Sequence, residues 1–393
     1  MLKTSDYGLK RPSFQLDPEL DAEIFVGRED VKKRLEDRLK RAIATGTSLH
    51  TVIYGDYGSG KTHTLNYVYK FLHKQKLDVI PIFVRSPRIT TKSDPSDLYS
   101  SIIDAISMTE IFDLFVKIYD SVQDKIKDVP DLFRRVDILR SQIGNRDLAF
   151  VIYRYVTTRP AEDFLVVKWL SGEKLSAREK ATLNVISDNS DPFNAAQTLV
   201  TLFRLFNKFA KKYVLLMLDE MEALLIVDRR KILEFQEFLR ILVDEPKNVG
   251  VLIAFTTRMG LEDASDIFKP TSPVGSRIGY PQNYIWLKEF NELELTKNFV
   301  KELIKALRDE KTDVEKLVKK YQSMTTETLT MDFYPFTEEA IEVMFDMSTQ
   351  SGQVKPLLPR DIQKALTDAL GDAMIQDKPF VDSEIMTRIM STS

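Results

Sequence analysis

Cysteine is absent from the 393 residues. That excludes disulfides, thiolate nucleophiles and cysteine-held zinc. Histidine is scarce: His50, His63 and His73 are the only three. They fall near one loop rather than in a ligand pattern, and His50 and His63 are expected to be packing or surface residues. No run reaches 18 apolar residues, so no membrane-spanning helix and no membrane partner are predicted. The start, Met1-Leu2-Lys3-Thr4-Ser5-Asp6, lacks the apolar centre of a signal peptide. The expected setting is a reducing or redox-neutral intracellular one, the cytoplasm. A large excess of one charge is also missing. The formal net charge is −3, so any nucleic-acid contact needs a local basic patch. Hydrophobic residues at 43% and charged residues at 29% suit a globular chain. The length suits roughly two or three domains.

What is present centres on Tyr54-Gly55-Asp56-Tyr57-Gly58-Ser59-Gly60-Lys61-Thr62. Gly55 and Gly60 bracket four residues before Lys61 and Thr62, the P-loop pattern. The apolar run His50-Thr51-Val52-Ile53-Tyr54 precedes it and a helical pattern from Thr62 to His73 follows. A glycine-rich turn between strand and helix points backbone N–H groups at anionic oxygens, and the helix adds its positive end. The candidate nucleotide-binding set is Gly55, Asp56, Tyr57, Gly58, Ser59, Gly60, Lys61, Thr62 and His63. Lys61 is expected on the terminal phosphates and the Thr62 hydroxyl on Mg²⁺.

The rest of the chain reads as an α/β protein. Residues 1–22 are polar, with two prolines, and are expected to form an arm. A helix follows to about Ala44, with Val31, Leu35, Leu39 and Ile43 as its stripe. Asp78 to Val84 reads as a strand that Pro81 pushes toward an edge or bulge, and Asp97 to Ile106 as a helix. Residues 109–192 lose the strand signature. Helices are expected near 109–125, 130–142, 146–157, 161–169 and 177–185, punctuated by Pro130, Pro160 and Gly172. This is a helical insertion or a separate small helical domain. A helix over 193–210 leads to Tyr213-Val214-Leu215-Leu216-Met217-Leu218, a strand buried on both faces. A helix over 229–244 and strands at 249–255 and 284–287 follow. From 293 onward helices are expected at 293–308, 312–321, 337–349 and 360–375, with a short element near Val381–Ile385. The segments are therefore an arm (1–22), a first core part (23–108), the insertion (109–192), a second core part (193–292) and a helical lid (293–393).

Asp219 ends the buried strand, where a carboxylate is suited to Mg²⁺ or its waters. Glu220 is suited to polarise an attacking water. Thr256 and Thr257 end the next strand, and either is placed to meet the γ-phosphate or that water. Arg277 is a candidate for reaching a nucleotide on a neighbouring subunit, and Arg258 competes for that role. Arg360 opens a helix. Arginine there opposes the helix dipole, which favours a phosphate partner.

These residues carry a family resemblance. The chain resembles an AAA+ ATPase over roughly residues 20–390. Within that class it resembles the initiator-like branch containing the archaeal and eukaryotic Orc1/Cdc6 proteins. Phe25-Val26-Gly27-Arg28-Glu29 is similar to that group's N-terminal signature. This implies that Val26, Gly27 and Arg28 line the adenine pocket. Residues 55–62 and 215–220 resemble the Walker A and B motifs, Thr256 or Thr257 the sensor 1 position, and Ser276-Arg277 the arginine-finger region. Thr337-Glu338-Glu339-Ala340-Ile341 followed by Arg360 resembles the lid and its sensor 2 arginine. The initiators' C-terminal winged helix has no counterpart, nor does 109–192 in a standard initiator. Residues 164–173 and Asp219-Glu220-Met221-Glu222 are also similar to prokaryotic P-loop ATPases with a helical insert that occur in phage-defence systems. The resemblance implies ATP and Mg²⁺ as cofactors, hydrolysis as the reaction and self-association through the nucleotide site.

The insertion is the expected partner surface. Arg134, Arg135, Arg140, Arg146, Arg154 and Arg159 are interleaved with Phe133, Phe150, Tyr153 and Tyr155. Such a set stacks bases and tracks a backbone, anchors a protein interface, or covers a small core. Two readings follow: an ATPase acting on DNA or a DNA-associated complex, and a protein-only signalling or scaffold ATPase in a multi-component system.

Overall fold

Two strands hold the centre because both of their faces are apolar. β3 (Tyr213–Leu218) and β4 (Val249–Thr256) bury every residue except the half-buried Thr256. In a computed structural model, which describes residues 3–158, 164–350 and 357–392, they lie in a five-stranded sheet. Its order is β2 (Val79–Val84), β3, β4, β1 (Leu49–Gly55), β5 (Tyr284–Trp286). β2 pairs in parallel with β3, β3 with β4, and β1 with β5. Edge position suits β2, since Pro81 has no N–H for a second ladder. Leu215 of β3 lies so close to Gly250 of β4 that a Cβ there would sit 2.4 Å from Leu215 Cδ1. Tyr54 of β1 stacks at 6.1 Å on Phe255 and 5.8 Å on Trp286.

The chain divides into two compact units. One contains Leu35–Tyr54 and Phe71–Trp286, hence the sheet. Helices α3 (Pro95–Ala105), α10 (Pro192–Leu205) and α11 (Arg229–Asp244) cover it. Between α3 and α10 run α4 (Met108–Asp120), α5 (Gln123–Ile126), α6 (Leu132–Ile143), α7 (Arg146–Thr157), α8 (Phe164–Leu170) and α9 (Ala177–Leu183). Side-chain caps start α6, α7 and α9. Asp131 accepts the Arg134 N–H at 2.8 Å, and Asn145 accepts that of Leu148 at 3.0 Å. The helix expected over 109–125 stops at Asp120, where the Ser121 hydroxyl donates to the Ile118 carbonyl at 2.6 Å and competes with the backbone ladder. Arg159, Pro160 and the first residues of the helix expected over 161–169 lie outside the described residues. The helix expected over 193–210 is regular to Leu205, then widens into one π turn, Phe206–Ala210. The connection after β4 contains α12 (Pro273–Ile278), capped by the Ser272 hydroxyl on the Gly275 N–H at 2.8 Å.

The other unit contains Met1–Arg34, Gly55–Lys70 and Leu287–Ser393. It packs α13 (Leu293–Leu307), α15 (Glu338–Gln350), α16 (Pro359–Ile375) and α17 (Ser383–Thr392) around Phe299, Leu303, Ile341, Met344, Leu366 and Ile385. α14 (Val314–Gln322) joins a satellite cluster with Tyr321 and Tyr334. The final element is a full helix rather than the short one expected at 381–385. The N-terminal stretch is packed into this core, although its polarity predicts an arm. Tyr7, Leu9 and Phe14 are buried. The Tyr7 hydroxyl donates to the Lys378 carbonyl at 2.6 Å, and the Phe14 N–H to Thr367 Oγ1 at 2.9 Å. Three anchors without helix or strand period are enough to seat it.

Candidate functional site

The loop that follows β1 leads into α2 (Lys61–Lys74). Gly58 and Gly60 take φ of +87° and +98°, which L side chains adopt only with strain. The turn closes through the Ser59 N–H on the Asp56 carbonyl at 3.1 Å, and the Tyr57 N–H reaches Asp56 Oδ1 at 2.6 Å. Lys61 is buried and its ammonium donates to the carbonyls of Gly55 (3.1 Å) and Asp56 (2.9 Å). The cation is thereby held inside the loop. Ser59 is also buried, and its Oγ has no hydrogen-bond partner among the described residues. A Cβ on Gly60 would meet no atom within 4 Å. An orphaned hydroxyl, open space over Gly60, a cationic side chain and the unpaired N–H groups that begin any helix together fit a phosphate. Thr62, half-buried at the second position of α2, is suited to a magnesium that arrives with the nucleotide.

Five other expected residues, Arg360, His63, Val26, Gly27 and Arg28, gather in the same unit. Arg360, near the start of α16, lies over the Tyr57 ring with its guanidinium carbon 4.9 Å from the centroid. A Cβ on Gly58 would sit 3.0 Å from Arg360 Cβ. His63 shares a hydrogen bond with the Ile24 carbonyl at 2.8 Å through Nε2, which must be the protonated nitrogen because a carbonyl only accepts. Burial pushes its pKa down, against that hydrogen bond. His63 is thus a tether between α2 and the segment before α1 (Glu29–Thr45).

That segment is shaped by Gly27. Its φ is +70°, a Cβ there would meet Phe299 Cδ2 at 2.6 Å, and its N–H donates to Glu302 Oε2 at 2.6 Å. Val26 packs on the helical core. Arg28 donates to the Lys288 carbonyl at 2.6 Å and lies 5.5 Å over Phe290. Burial lowers its pKa to about 10, partly offset by Asp30 and Glu289, so it remains cationic at neutral pH. Glu302 was not visible as a site residue in the sequence. It lies 275 positions from its partner, with no spacing to announce it.

The acidic and threonine candidates lie in the sheet unit. Asp219 is buried, its N–H bonded to the Val84 carbonyl at 2.9 Å. Glu220 is exposed, with φ +54°, and immediately precedes the 3-10 turn Met221–Ile226 without a side-chain cap bond to it. A non-glycine residue held in that region is uncommon and accompanies functional turns. Thr256 bonds to Glu222 through both its N–H (2.9 Å) and its hydroxyl (2.6 Å). Thr257 is buried and donates its hydroxyl to the Gly260 carbonyl. Arg277 sits on α12, ion-paired with Asp244, which Arg240 also contacts at 3.2 Å. Arg258 is exposed beyond β4, its N–H on Asp263 Oδ2 at 2.8 Å. Among the described residues no cluster of three or more His, Asp or Glu forms a metal site, and no helix is long and apolar enough to cross a membrane.

The arginines at 109–192 are largely used within the fold. Arg135 bonds the Val129 carbonyl and Tyr153 Oη. Arg146 pairs with Asp147 at 3.0 Å and lies 4.8 Å over Phe150. Arg154 donates to the Thr182 carbonyl at 2.8 Å. The aromatics pair with one another, Tyr155 on Phe112 at 4.2 Å and Phe133 on Phe150 at 5.8 Å. Arg134 and Arg140 are exposed.

No curated protein matches the chain. Among solved structures it is similar to the Aeropyrum pernix ORC2 protein in ADPNP–ADP complexes, at 13% identity and TM-score 0.43, covering 99% of this chain and 71% of that one. It is similar to the Aeropyrum pernix ORC1 protein in complex with DNA at 11% identity and TM-score 0.45, covering 94% and 65%. The chain therefore spans slightly less than two thirds of that protein. Against the Thermotoga maritima RuvB Holliday junction branch migration motor the identity is 14% and the TM-score 0.40, covering 96% and 73%. Likenesses of this size assign no family. The expected kinship with the Orc1/Cdc6 initiators is therefore corrected by a family match that covers nearly the whole chain. The α/β fold of AAA+ type, with a mostly parallel sheet and C-terminal helices, stands as expected. Residues 18–383 match the model of the BREX system ATP-binding proteins BrxC/D, and the chain belongs to that family.

Proposed function

We propose that the chain binds ATP with Mg²⁺ at the P-loop, hydrolyses it, and uses the cycle as a conformational switch inside a multi-component system. The observation that carries this reading is the loop itself: buried Lys61, the orphaned Ser59 hydroxyl, and Arg360 laid over Tyr57. Bound magnesium supplies charge neutralisation at the phosphates. Lys61 and Arg360 hold phosphate oxygens, Thr62 and Asp219 hold the metal or its waters, and Val26, Gly27 and Arg28 support the base. Glu220 polarises water, and its exposed place on a strained turn leaves its carboxylate accessible.

Protein partners are the favoured audience of this switch. A family that is part of a system supports that reading, and so does the internal use of Arg135, Arg146 and Arg154. Arg277 is assigned to a neighbouring subunit's nucleotide, which requires release from Asp244.

The test is ATP turnover and ATP affinity of the wild type, Lys61→Ala and Glu220→Gln, with and without double- and single-stranded DNA. Lys61→Ala is expected to weaken binding or turnover. Glu220→Gln is expected to retain ATP and to lose turnover by about 10²-fold or more. Unchanged turnover in Glu220→Gln refutes its role. Turnover that rises with DNA, with binding that falls steeply with salt, restores the DNA reading.

A further inference from the structure

Glu222 has no part in the chemistry proposed above, yet both of its carboxylate oxygens are engaged. Its Oε2 accepts the Thr256 N–H at 2.9 Å and its Oε1 accepts the Thr256 hydroxyl at 2.6 Å. Thr256 is the last residue of β4. Glu222 is the second residue of the 3-10 turn that Glu220 precedes. One side chain therefore joins the end of β4 to the turn that carries the water-polarising candidate, across 34 positions of sequence.

The polarity of this clamp has a consequence. A hydroxyl has one proton and two lone pairs. The Thr256 proton is spent on Glu222, so toward any other group its oxygen only accepts. It can hydrogen-bond a water O–H, whereas a phosphoryl oxygen, itself an acceptor, is repelled. The Thr257 hydroxyl also spends its proton, on the Gly260 carbonyl, but it is buried, whereas Thr256 is half-buried. We propose that Glu222 is a positioning residue: it fixes the Thr256 hydroxyl as an acceptor for the attacking water and ties it to the turn bearing Glu220. This rests on the hydrolysis reading and deepens it. Between the two threonines it selects Thr256, and between water and phosphate it selects water.

Glutamine is the informative replacement. Its amide has one acceptor oxygen and one NH₂ donor, but the clamp presents two donors. If the oxygen keeps the Thr256 N–H, the NH₂ group donates to Thr256 Oγ1 and the hydroxyl proton swings outward. Glu222→Gln thus inverts the hydroxyl at nearly constant shape. Its kcat is expected to fall at least about tenfold, with KM and Kd for ATP within about twofold. Thr256→Val is expected to fall similarly, and Thr256→Ser to restore most of the rate. The double variant is expected to be no worse than Thr256→Val alone, because both act through one hydroxyl. A readout without turnover is hydrogen exchange: the Thr256 amide is expected to exchange faster in Glu222→Ala, with the β4 amides before it unchanged.

Unchanged kcat in Glu222→Gln, losses that multiply in the double variant, or unchanged protection of the Thr256 amide overturns the proposal. A wild type that binds ATP and never turns it over refutes the hydrolysis reading and this role with it. Normal wild-type turnover with an unaffected Glu222→Gln refutes the clamp alone.

Discussion

Gly58 and Gly60 differ in one respect that makes the contact between the P-loop and α16 measurable. Both have positive φ, +87° and +98°. Alanine at either incurs a backbone strain of about 1–3 kcal/mol. Over Gly60 the added Cβ meets no atom within 4 Å, so nothing more is lost. Over Gly58 it meets Arg360 Cβ at 3.0 Å and Cδ at 3.3 Å. Forcing a methyl into such a gap typically adds about 1–3 kcal/mol, and displacing the guanidinium from Tyr57 adds ~0.5–1 kcal/mol. Gly58→Ala is therefore expected to destabilise more than Gly60→Ala by about 1.5–4 kcal/mol, or very roughly 3–16 °C in the midpoint of a unit this size. The excess is expected to vanish in an Arg360→Gly background, which removes the three nearest atoms; Arg360→Ala keeps the Cβ and relieves only part. The assay is far-UV circular dichroism of nucleotide-free protein in urea or on heating. Tryptophan fluorescence serves as the control, because Trp169 and Trp286 both lie in the other unit. Equal losses for the two alanine variants, or an excess that survives Arg360→Gly, refutes the placement of Arg360 against the loop.

His50 gives the pH dependence. Burial pushes its pKa down to about 4, against the hydrogen bond to Val243 and the nearby Asp244. Nδ1 has no partner among the described residues. A depressed folded pKa means that stability is full above the unfolded value near 6.5 and is lost as pH falls toward 4. The loss amounts to about 2–3 kcal/mol once solvent reach to the half-buried ring is allowed for. The stability advantage of wild type over His50→Gln is expected to shrink by that amount between pH 7 and 4.5; a constant difference refutes it. Phe14→Ala is expected to cost about 3–5 kcal/mol in urea unfolding, because the ring is buried and packs edge-on against Phe336 at 5.4 Å. A loose arm would lose nothing. Asp244→Asn is expected to change stability by less than about 1 kcal/mol, the pair being partly exposed. If Arg277 acts on a neighbouring subunit, the same variant is expected to raise concentration-dependent turnover, and Arg277→Ala to abolish the rise.

Where physical cause is local, the sequence was readable. The apolar run at 213–218, rich in β-formers at its start and ended by an acidic pair, reads as a strand buried on both faces, and it is one. The glycine spacing at 55–60 dictates a loop that admits positive φ, and the structure supplies it at Gly58 and Gly60. Arg360 was noticed because arginine opposes the dipole at a helix start, and it is found over Tyr57 of that loop. Caps such as Asp131 and Asn145 mark helices that periodicity alone places to within a few residues. The initiator kinship failed for a related reason. A P-loop, a strand-end acid pair and a lid arginine are demands of nucleotide chemistry, so many families share them and none is singled out.

What stayed hidden is set by partners distant in the chain. Tyr7, Leu9 and Phe14 follow no period, so polarity dominated the reading of their segment until helices more than 280 positions away enclosed them. Interleaved arginines and aromatics have the same composition whether they stack bases or brace helices. The Arg135–Tyr153 and Arg146–Phe150 contacts assign those two arginines to bracing, which composition does not announce. The same holds at the threonine pair. Two adjacent β-formers at a strand end carry no preference between them, and neither residue's own chemistry breaks the tie. It is broken by burial: both hydroxyls donate their proton, but Thr257 is enclosed while Thr256 is only half-buried. Both hydroxyls keep lone pairs, and burial, which only the packing of distant segments sets, decides which threonine can offer one to water.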